Sequence, residues 1–273
     1  MNARNVRWIS VALVLIFGTY VQAGPVDFSK PFGKYGTLWN TYDGTSTGAP
    51  EPWCAPTSTA NSFKYLENQY PGTYDNFLTG RVGLLATRDA LCTGWQKPGS
   101  PARMGMGVGG ASYRSLWESK YYWIADWATG TTIFGGMVDE DPSGWAGGEN
   151  LTFGKPSMSF LEERVRRCDD IELWFKPASG MSHVVVLTSL HYTDTNGNNR
   201  WDIETEEGQI DYQNPNDPNV PQYGTVTLVD GYLKTTCDSQ SVTITAAYSE
   251  VPEPAALALL TFGGVMLRRR RGS

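Results

Sequence analysis

The chain has 273 residues, 18% of them charged and 40% hydrophobic, with a formal net charge of −6, four cysteines and only two histidines. Its two ends hold +2 and +3 of formal charge, which leaves −11 on residues 24–250. That acidic balance argues against nucleic acid and anionic membrane surfaces as partners, and 227 residues suffice for one full hydrophobic core.

Residues 1–23 read as a secretory signal peptide. Arg4 and Arg7 precede an apolar run over 8–20, and Ala23 supplies the small residue that cleavage needs. Residues 24–53 are rich in Gly, Pro, Thr and Tyr and read as loop. A helix is predicted from Pro56, because proline suits a first turn and Ala60, Phe63 and Leu66 recur at helical spacing. A second helix and the glycine-rich loop "MGMGVGG" follow over 81–110. Tyr113, Leu116, Trp117, Tyr121 and Ile124 line one face of a third helix. "SMSFLEERVRRC" predicts a fourth, capped by Ser157 or Ser159.

After residue 168 the texture changes. "IELWF", "HVVVLTSLHY", "GQIDYQ", "YGTVTLV" and "SVTITAAY" are rich in β-branched and aromatic residues and are separated by turn signals. Helices followed by strands predict an α+β fold, with N-terminal helices packed on a C-terminal antiparallel sheet. No repeat of 20 to 50 residues is present, so 24–250 reads as a single domain. "MGMGVGG" lacks the lysine and the preceding strand of a phosphate loop and predicts a tight turn or a groove wall. Tryptophans at helical spacing, such as Trp117, read as core.

The last 23 residues, "VPEPAALALLTFGGVMLRRRRGS", combine a Pro-Glu-Pro punctuation, an apolar run over 255–267 and four arginines at 268–271. At 1.5 Å per residue the run is about 20 Å long, shorter than a ~30 Å hydrocarbon core, so it inserts only with local thinning or with help from its flanks. The arginines belong on the cytoplasmic side. This tail resembles the PEP-CTERM sorting signal of exported bacterial proteins. The resemblance implies recognition by a membrane sorting protease, an exosortase, and removal of 251–273 as a sorting signal with transient membrane anchoring. The implied destination is the cell envelope, the cell surface or the extracellular matrix.

"PWCAPTSTANSF", residues 52–63, poses the functional question. Four cysteines, at 54, 92, 168 and 237, are an even number, and an exported chain favours disulfides. Yet Cys54 stands where a helix begins, where the helix dipole lowers a thiol pKa. A nucleophilic cysteine also needs an imidazole and a group that orients the ring. The small residues after Cys54 would let a substrate approach. His183, at the start of a buried-looking strand, is the candidate base. His191 lies eight residues on, about 26 Å along an extended strand, and cannot serve the same site. If 183–193 and 206–214 form a hairpin, facing residue numbers sum to about 399, which sets "QNPND" opposite His183. Asn214 is the first candidate to hold the ring and Asp211 the second.

These residues resemble a family. "CAPTSTANSF", "SHVVVLTSLHY" and "IDYQNPNDP" look like the papain-like cysteine peptidases, in particular the bacteriocin-processing-peptidase-like branch. By position, Cys54 matches the nucleophile, His183 the base and Asn214 the orienting residue. The resemblance covers roughly 50–220 and implies hydrolysis of peptide or other amide bonds in a peptide or protein substrate. Ala55 and Ser182 replace the usual glycines, and no glutamine lies in the ten residues before Cys54, where the family places its oxyanion donor. Asn40 is a remote substitute. A catalytically degenerate module that binds or builds structure at the envelope is therefore the alternative.

No cofactor is required by this chemistry. A separate expectation concerns "DTNGNNRWD", where Asp194, Asn196, Asn198 and Asp202 alternate as calcium ligands do. Asn199 stands at the glycine position of such loops and Thr205 at the bidentate glutamate position. The competing reading is an ordinary Asn/Gly-rich turn.

Overall fold

The structure is a computed structural model that describes residues 23–38, 53–74, 78, 83–97, 99–107, 111–130, 132–139, 150–214, 217 and 219–252. It is a mixed α+β fold with one large mixed sheet and few helices. Residues 1–22 of the expected signal peptide and 253–273 of the expected sorting tail lie outside the described residues.

Helix α1 spans Cys54–Gln69, two residues earlier than its proline suggests. Pro56 is its third residue, where a backbone N–H has no helical carbonyl to bond, so the ring costs no hydrogen bond. Helix α2 is the short Pro71–Tyr74 and α3 spans Gly83–Thr93. Helix α4, Tyr113–Trp127, opens on a reciprocal cap between Ser112 and Ser115. Helix α5, Met158–Arg166, is capped by Ser157, whose side chain accepts from the Phe160 N–H.

The sheet runs in the order β3 (Leu151–Phe153), β2 (Thr132–Val138), β10 (Gln240–Pro252), β4 (Asp170–Pro177), β5 (His183–Asp194), β6 (Gly208–Gln213), β7 (Pro221–Thr225). β8 (Thr227–Val229) pairs with β9 (Tyr232–Cys237), and β9 pairs with β10. Both faces of the sheet are covered, which is why "HVVVL" shows no polar alternation. Val184 and Val186 join the core under α1 and α4, with Phe63, Leu66 and Leu116. Val185 and Leu187 join a second core with Leu161 and Val165 of α5. The β5–β6 register sums to 399 at Val186↔Gln213 and at Leu187↔Tyr212, as the sequence predicts, and shifts by one beyond a bulge at Thr188.

Two expectations are corrected. Residues 24–29 form strand β1 (Gly24–Ser29) against the far half of β5. Val26 and Phe28 pack inward while Asp27 is exposed, and an edge strand tolerates Pro25. The sheet is also not wholly antiparallel, and not all its strands follow the helices. β2 and β3 precede α5 in the chain and pair in parallel.

A buried ionic cluster binds the helices to the sheet. Lys120 of α4, fully buried, places Nζ 2.7 Å from Asp170 Oδ2 and also contacts the carboxylate of Glu172. Ser62 of α1 donates to Asp170, and Tyr74 OH donates to Glu250 Oε1 at 2.8 Å. Burial would lower the lysine's pKa, but Asp170, Glu172 and Glu250 outweigh it and raise it. Burial, with Asp170 adding to it, pushes Glu172 up to about 7, and burial raises Glu250 as well. A carboxyl with a raised folded pKa favours the fold when protonated. Its contribution is complete near pH ~4 and is lost as pH rises through the folded value. The expected outcome for Lys120→Met is a loss of about 3–5 kcal/mol of stability, because three carboxyls lose their cation. Urea melts should show a larger loss at pH 8 than at pH 5; an equal loss at both would contradict the coupling.

Candidate active site

Cys54 is the first residue of α1 and is 8% exposed, in the core that also holds Val184. Its helix owes its position to small polar side chains. Ser58 Oγ donates to the Val184 carbonyl at 2.7 Å, which docks the first turns of α1 on the start of β5. Asn61 accepts from the Leu38 N–H at 3.0 Å and donates to the Leu38 carbonyl at 3.2 Å. The Gly36 N–H donates to the Asn61 carbonyl, and Gln213 Nε2 reaches the Gly36 carbonyl at 2.5 Å. Thr57, Ser58, Thr59, Asn61 and Ser62 are all fully buried. The "TSTANS" string therefore serves as a set of tethers and not as an open approach for substrate.

His183 is the first residue of β5 and is half-buried. Its Nε2 lies 2.9 Å from Asn214 Oδ1, just past the end of β6. Its ring also interacts with the neighbouring Cys54 thiol. The three residues singled out from the sequence are thus brought together: the imidazole interacts with the thiol and bonds the amide. Burial alone would raise the Cys54 thiol, but the hydrogen bond and charge of His183, with the backbone amides of Val184 and Ala55, bring it below its ordinary value. Burial alone would lower His183, but Cys54, the Asn214 bond and the Asp238 charge raise it above its ordinary value. The two shifts have one cause, because each charged form stabilises the other.

All four cysteines are free thiols, so Cys54 is not half of a disulfide. Cys92 Sγ donates to the Gly107 carbonyl at 3.3 Å. Burial pushes Cys237 up to about 11, which leaves it protonated and unreactive at neutral pH.

Asp211, the second candidate for the ring, lies elsewhere. Its Oδ2 is 2.9 Å from Nε2 of His191, and Asp27 Oδ1 is 3.3 Å from the other ring nitrogen. The bulge at Thr188 sets Asp211 opposite Ser189, diagonal to His191 and away from His183. Asn40 and residues 108–110 of "MGMGVGG" lie outside the described residues. The described part of that loop packs on the end of α3. A Cβ on Gly105 would sit 2.4 Å from the Gly94 nitrogen, and the Met106 and Gly107 N–H groups bond Leu91 and Cys92 carbonyls. It is a close-packed turn.

In the 194–206 loop, Asp194 accepts from the N–H groups of Asn198 and Asn199 at 3.2 and 2.6 Å. Asn198 Oδ1 accepts from the Arg200 N–H and Asp202 Oδ1 from the Glu204 N–H. Glu206 accepts from Thr195 and from the Asp202 N–H. Among the described residues no group of three His, Cys, Asp or Glu side chains is arranged to hold a metal ion. These bonds are those of an Asx-rich turn, and the calcium expectation continues to rest on the sequence spacing alone.

Two residues that sequence reasoning passed over complete the site. Gln222 of β7 and Asp238, in the β9–β10 turn, both accept from Asn214 Nδ2, at 3.1 and 3.3 Å. Only the unusual Asp-Ser turn at 238–239 offers a sequence signal for them. No family model matches the chain, and no curated protein is significantly similar to it.

The pairing sets a pH dependence. Alkylation of Cys54 should stay fast well below the free-thiol pKa of roughly 8.5 and fall only when the ion pair is protonated in acid. His183→Ala should slow the reaction at pH 7 by tenfold or more, whereas His191→Ala should leave it unchanged. Equal rates in the wild type and His183→Ala would contradict the geometry.

Proposed function

We propose that the chain is an exported cysteine hydrolase of papain-like fold that cleaves peptide or other amide bonds. The supporting observation is the meeting of Cys54, His183 and Asn214, with the imidazole bonded to the amide and both titratable members shifted toward their charged forms. A thiol at a helix start, an imidazole on a strand and an amide across a hairpin are the parts that acyl transfer through sulfur requires. A further likeness to the papain-like arrangement is a helix that carries the nucleophile and packs on a sheet that carries the base.

In this reading the Cys54 thiolate attacks the carbonyl carbon of the substrate. The N–H of Cys54, in the first turn of α1, donates to the developing oxyanion. The proton held by His183 passes to the leaving amine as the C–N bond breaks and a thioester forms. His183 then takes a proton from water, the resulting hydroxide attacks the thioester, and the acid product leaves as the Cys54 sulfur is freed. Asn214 holds the ring throughout.

The signal peptide, the sorting tail and its exosortase partner belong to the same proposal. His183 lies level with Ile244 through Phe175 of β4, and β10 ends at Pro252, eight residues on. At about 3.3 Å per residue the site is roughly 25 Å from the point where the tail leaves the sheet. A body held by its tail would then present the site away from the bilayer, toward soluble or surface-bound peptide.

The test uses protein purified from the surface of a host that has the sorting machinery. Its mass should end before Ala255, and it should release amine from a mixed peptide library. Cys54→Ala and His183→Ala should reduce that release by at least a thousandfold. Material that retains Arg271 contradicts the sorting reading. Wild-type protein with no hydrolysis above the Cys54→Ala background contradicts the hydrolase reading and favours the binding module.

A further inference from the structure

Two hairpins of this chain turn in two residues. β8 and β9 are joined by Asp230 and Gly231, with φ of 54° and 75°. β9 and β10 are joined by Asp238 and Ser239, with φ of 49° and 64°. Two positive φ values in a two-residue loop define the turn whose twist matches the strands, and glycine is its favoured second residue. The first hairpin follows that preference. The second sets a Cβ in the left-handed region at Ser239, a conformation that costs about 1 kcal/mol or more. A strained turn kept where glycine would relax it directs attention to what the turn holds.

It holds Asp238 against the site. Asp238 Oδ1 lies 3.3 Å from Asn214 Nδ2, and Gln222 Oε1 lies 3.1 Å from the same nitrogen. Asn214 is fully buried, so its amide depends on protein partners. An amide nitrogen has two hydrogens and no acceptor. With both offered to Gln222 and Asp238, the oxygen of Asn214 must face His183, as it does at 2.9 Å from Nε2. That oxygen only accepts, so Nε2 carries a proton in both charge states of the ring. Nδ1 is then the nitrogen that exchanges a proton with Cys54.

We propose that Asp238 and Gln222 are positioning residues: together they lock the Asn214 amide in the orientation that fixes the His183 tautomer, and the Asp238 carboxylate stabilises the imidazolium through Asn214. This inference rests on the cysteine-hydrolase reading and deepens it. A reversed amide would turn its N–H groups toward Nε2 and favour the tautomer with its proton on Nδ1, which cannot accept one from Cys54. Gln222 and Asp238 reach Asn214 from β7 and the β9–β10 turn, two elements remote from α1. The tautomer is thereby tied to the closure of the sheet around β6.

The test compares wild type, Asp238→Ala, Asp238→Asn and Ser239→Gly in the exported protein. Each is read by the pH profile of Cys54 alkylation, by kcat and KM separately, and by thermal melting. Asp238→Ala should lower kcat roughly tenfold with KM unchanged, the order expected for one lost hydrogen bond to a charged group. It should also move the alkylation profile to higher pH. Asp238→Asn keeps an acceptor oxygen and tolerates the left-handed turn. It should retain kcat within about threefold while the profile still moves, because only the charge is lost. Ser239→Gly should raise the melting temperature and leave the profile in place.

Profiles for Asp238→Ala and Asp238→Asn that superimpose on a wild type with a low-pKa thiol overturn the proposal and leave the hydrolase reading standing. Equal losses in both variants, in step with a lowered melting temperature, also overturn it by showing a purely structural role. A wild-type thiol that titrates at the ordinary value overturns the hydrolase reading and this inference with it.

Discussion

The hydrogen bond from Ser58 to the Val184 carbonyl fixes how Cys54 and His183 stand to each other. It joins the second turn of α1 to the second residue of β5, four residues after Cys54 and one after His183. A helix and a strand have stiff geometry over so short a span. Once the tether is made, the thiol and the imidazole have little freedom to part. The tether is itself buried, so breaking it strands a hydroxyl and a carbonyl away from water. Packing then repeats the constraint, because Phe63 and Leu66 of α1 sit in the same core as Val184 and Val186.

That arrangement explains why the site was legible and where it was not. Cys54, His183 and Asn214 could be read because each is marked locally: a cysteine before a proline-bearing helix start, one of two histidines, and an Asn-Pro after a strand. The hairpin register then placed them together, and the observed pairing has the expected sum close to His183. Asp211 could not be placed, because a one-residue bulge at Thr188 shifts the register and composition does not mark the bulge. The role of "TSTANS" was also hidden. Small polar residues next to an apolar stripe read as the solvent face of a helix, and these have hydrogen-bond partners 23 to 126 residues away. Strand β1 escaped because glycine and proline head it, although Val26, Asp27, Phe28 and Ser29 alternate as a strand does.

Two different solutions to buried charge stand side by side in this fold. At the tail end of the sheet, Lys120 holds Asp170 and Glu172 in a fully buried cluster where Glu172 and Glu250 are pushed toward neutrality. This joins α4 to β4, and Ser62 and Tyr74 extend it to the neighbouring helices. At the other end, Cys54 and His183 each shift toward the charged form despite burial. The difference lies in the partners. Three carboxyls compete for the Lys120 ammonium, whereas Cys54 has the His183 ring and the backbone amides of Val184 and Ala55 to itself. Burial thus governs the carboxyls at one end and is outweighed by the partners of the thiol at the other.

The central claim is that His183 and Cys54 share a proton as an ion pair, with the ring held by Asn214. Nitrogen chemical shifts of the His183 ring, followed through a pH titration before and after Cys54 is capped as a methyl disulfide, test it directly. The account predicts an imidazolium at pH 7 in the uncapped protein, with a pKa above the ordinary value of roughly 6.5. It predicts a fall in that pKa on capping and an Nε2 that stays protonated throughout. A ring that titrates at its ordinary value and does not respond to capping would contradict the account.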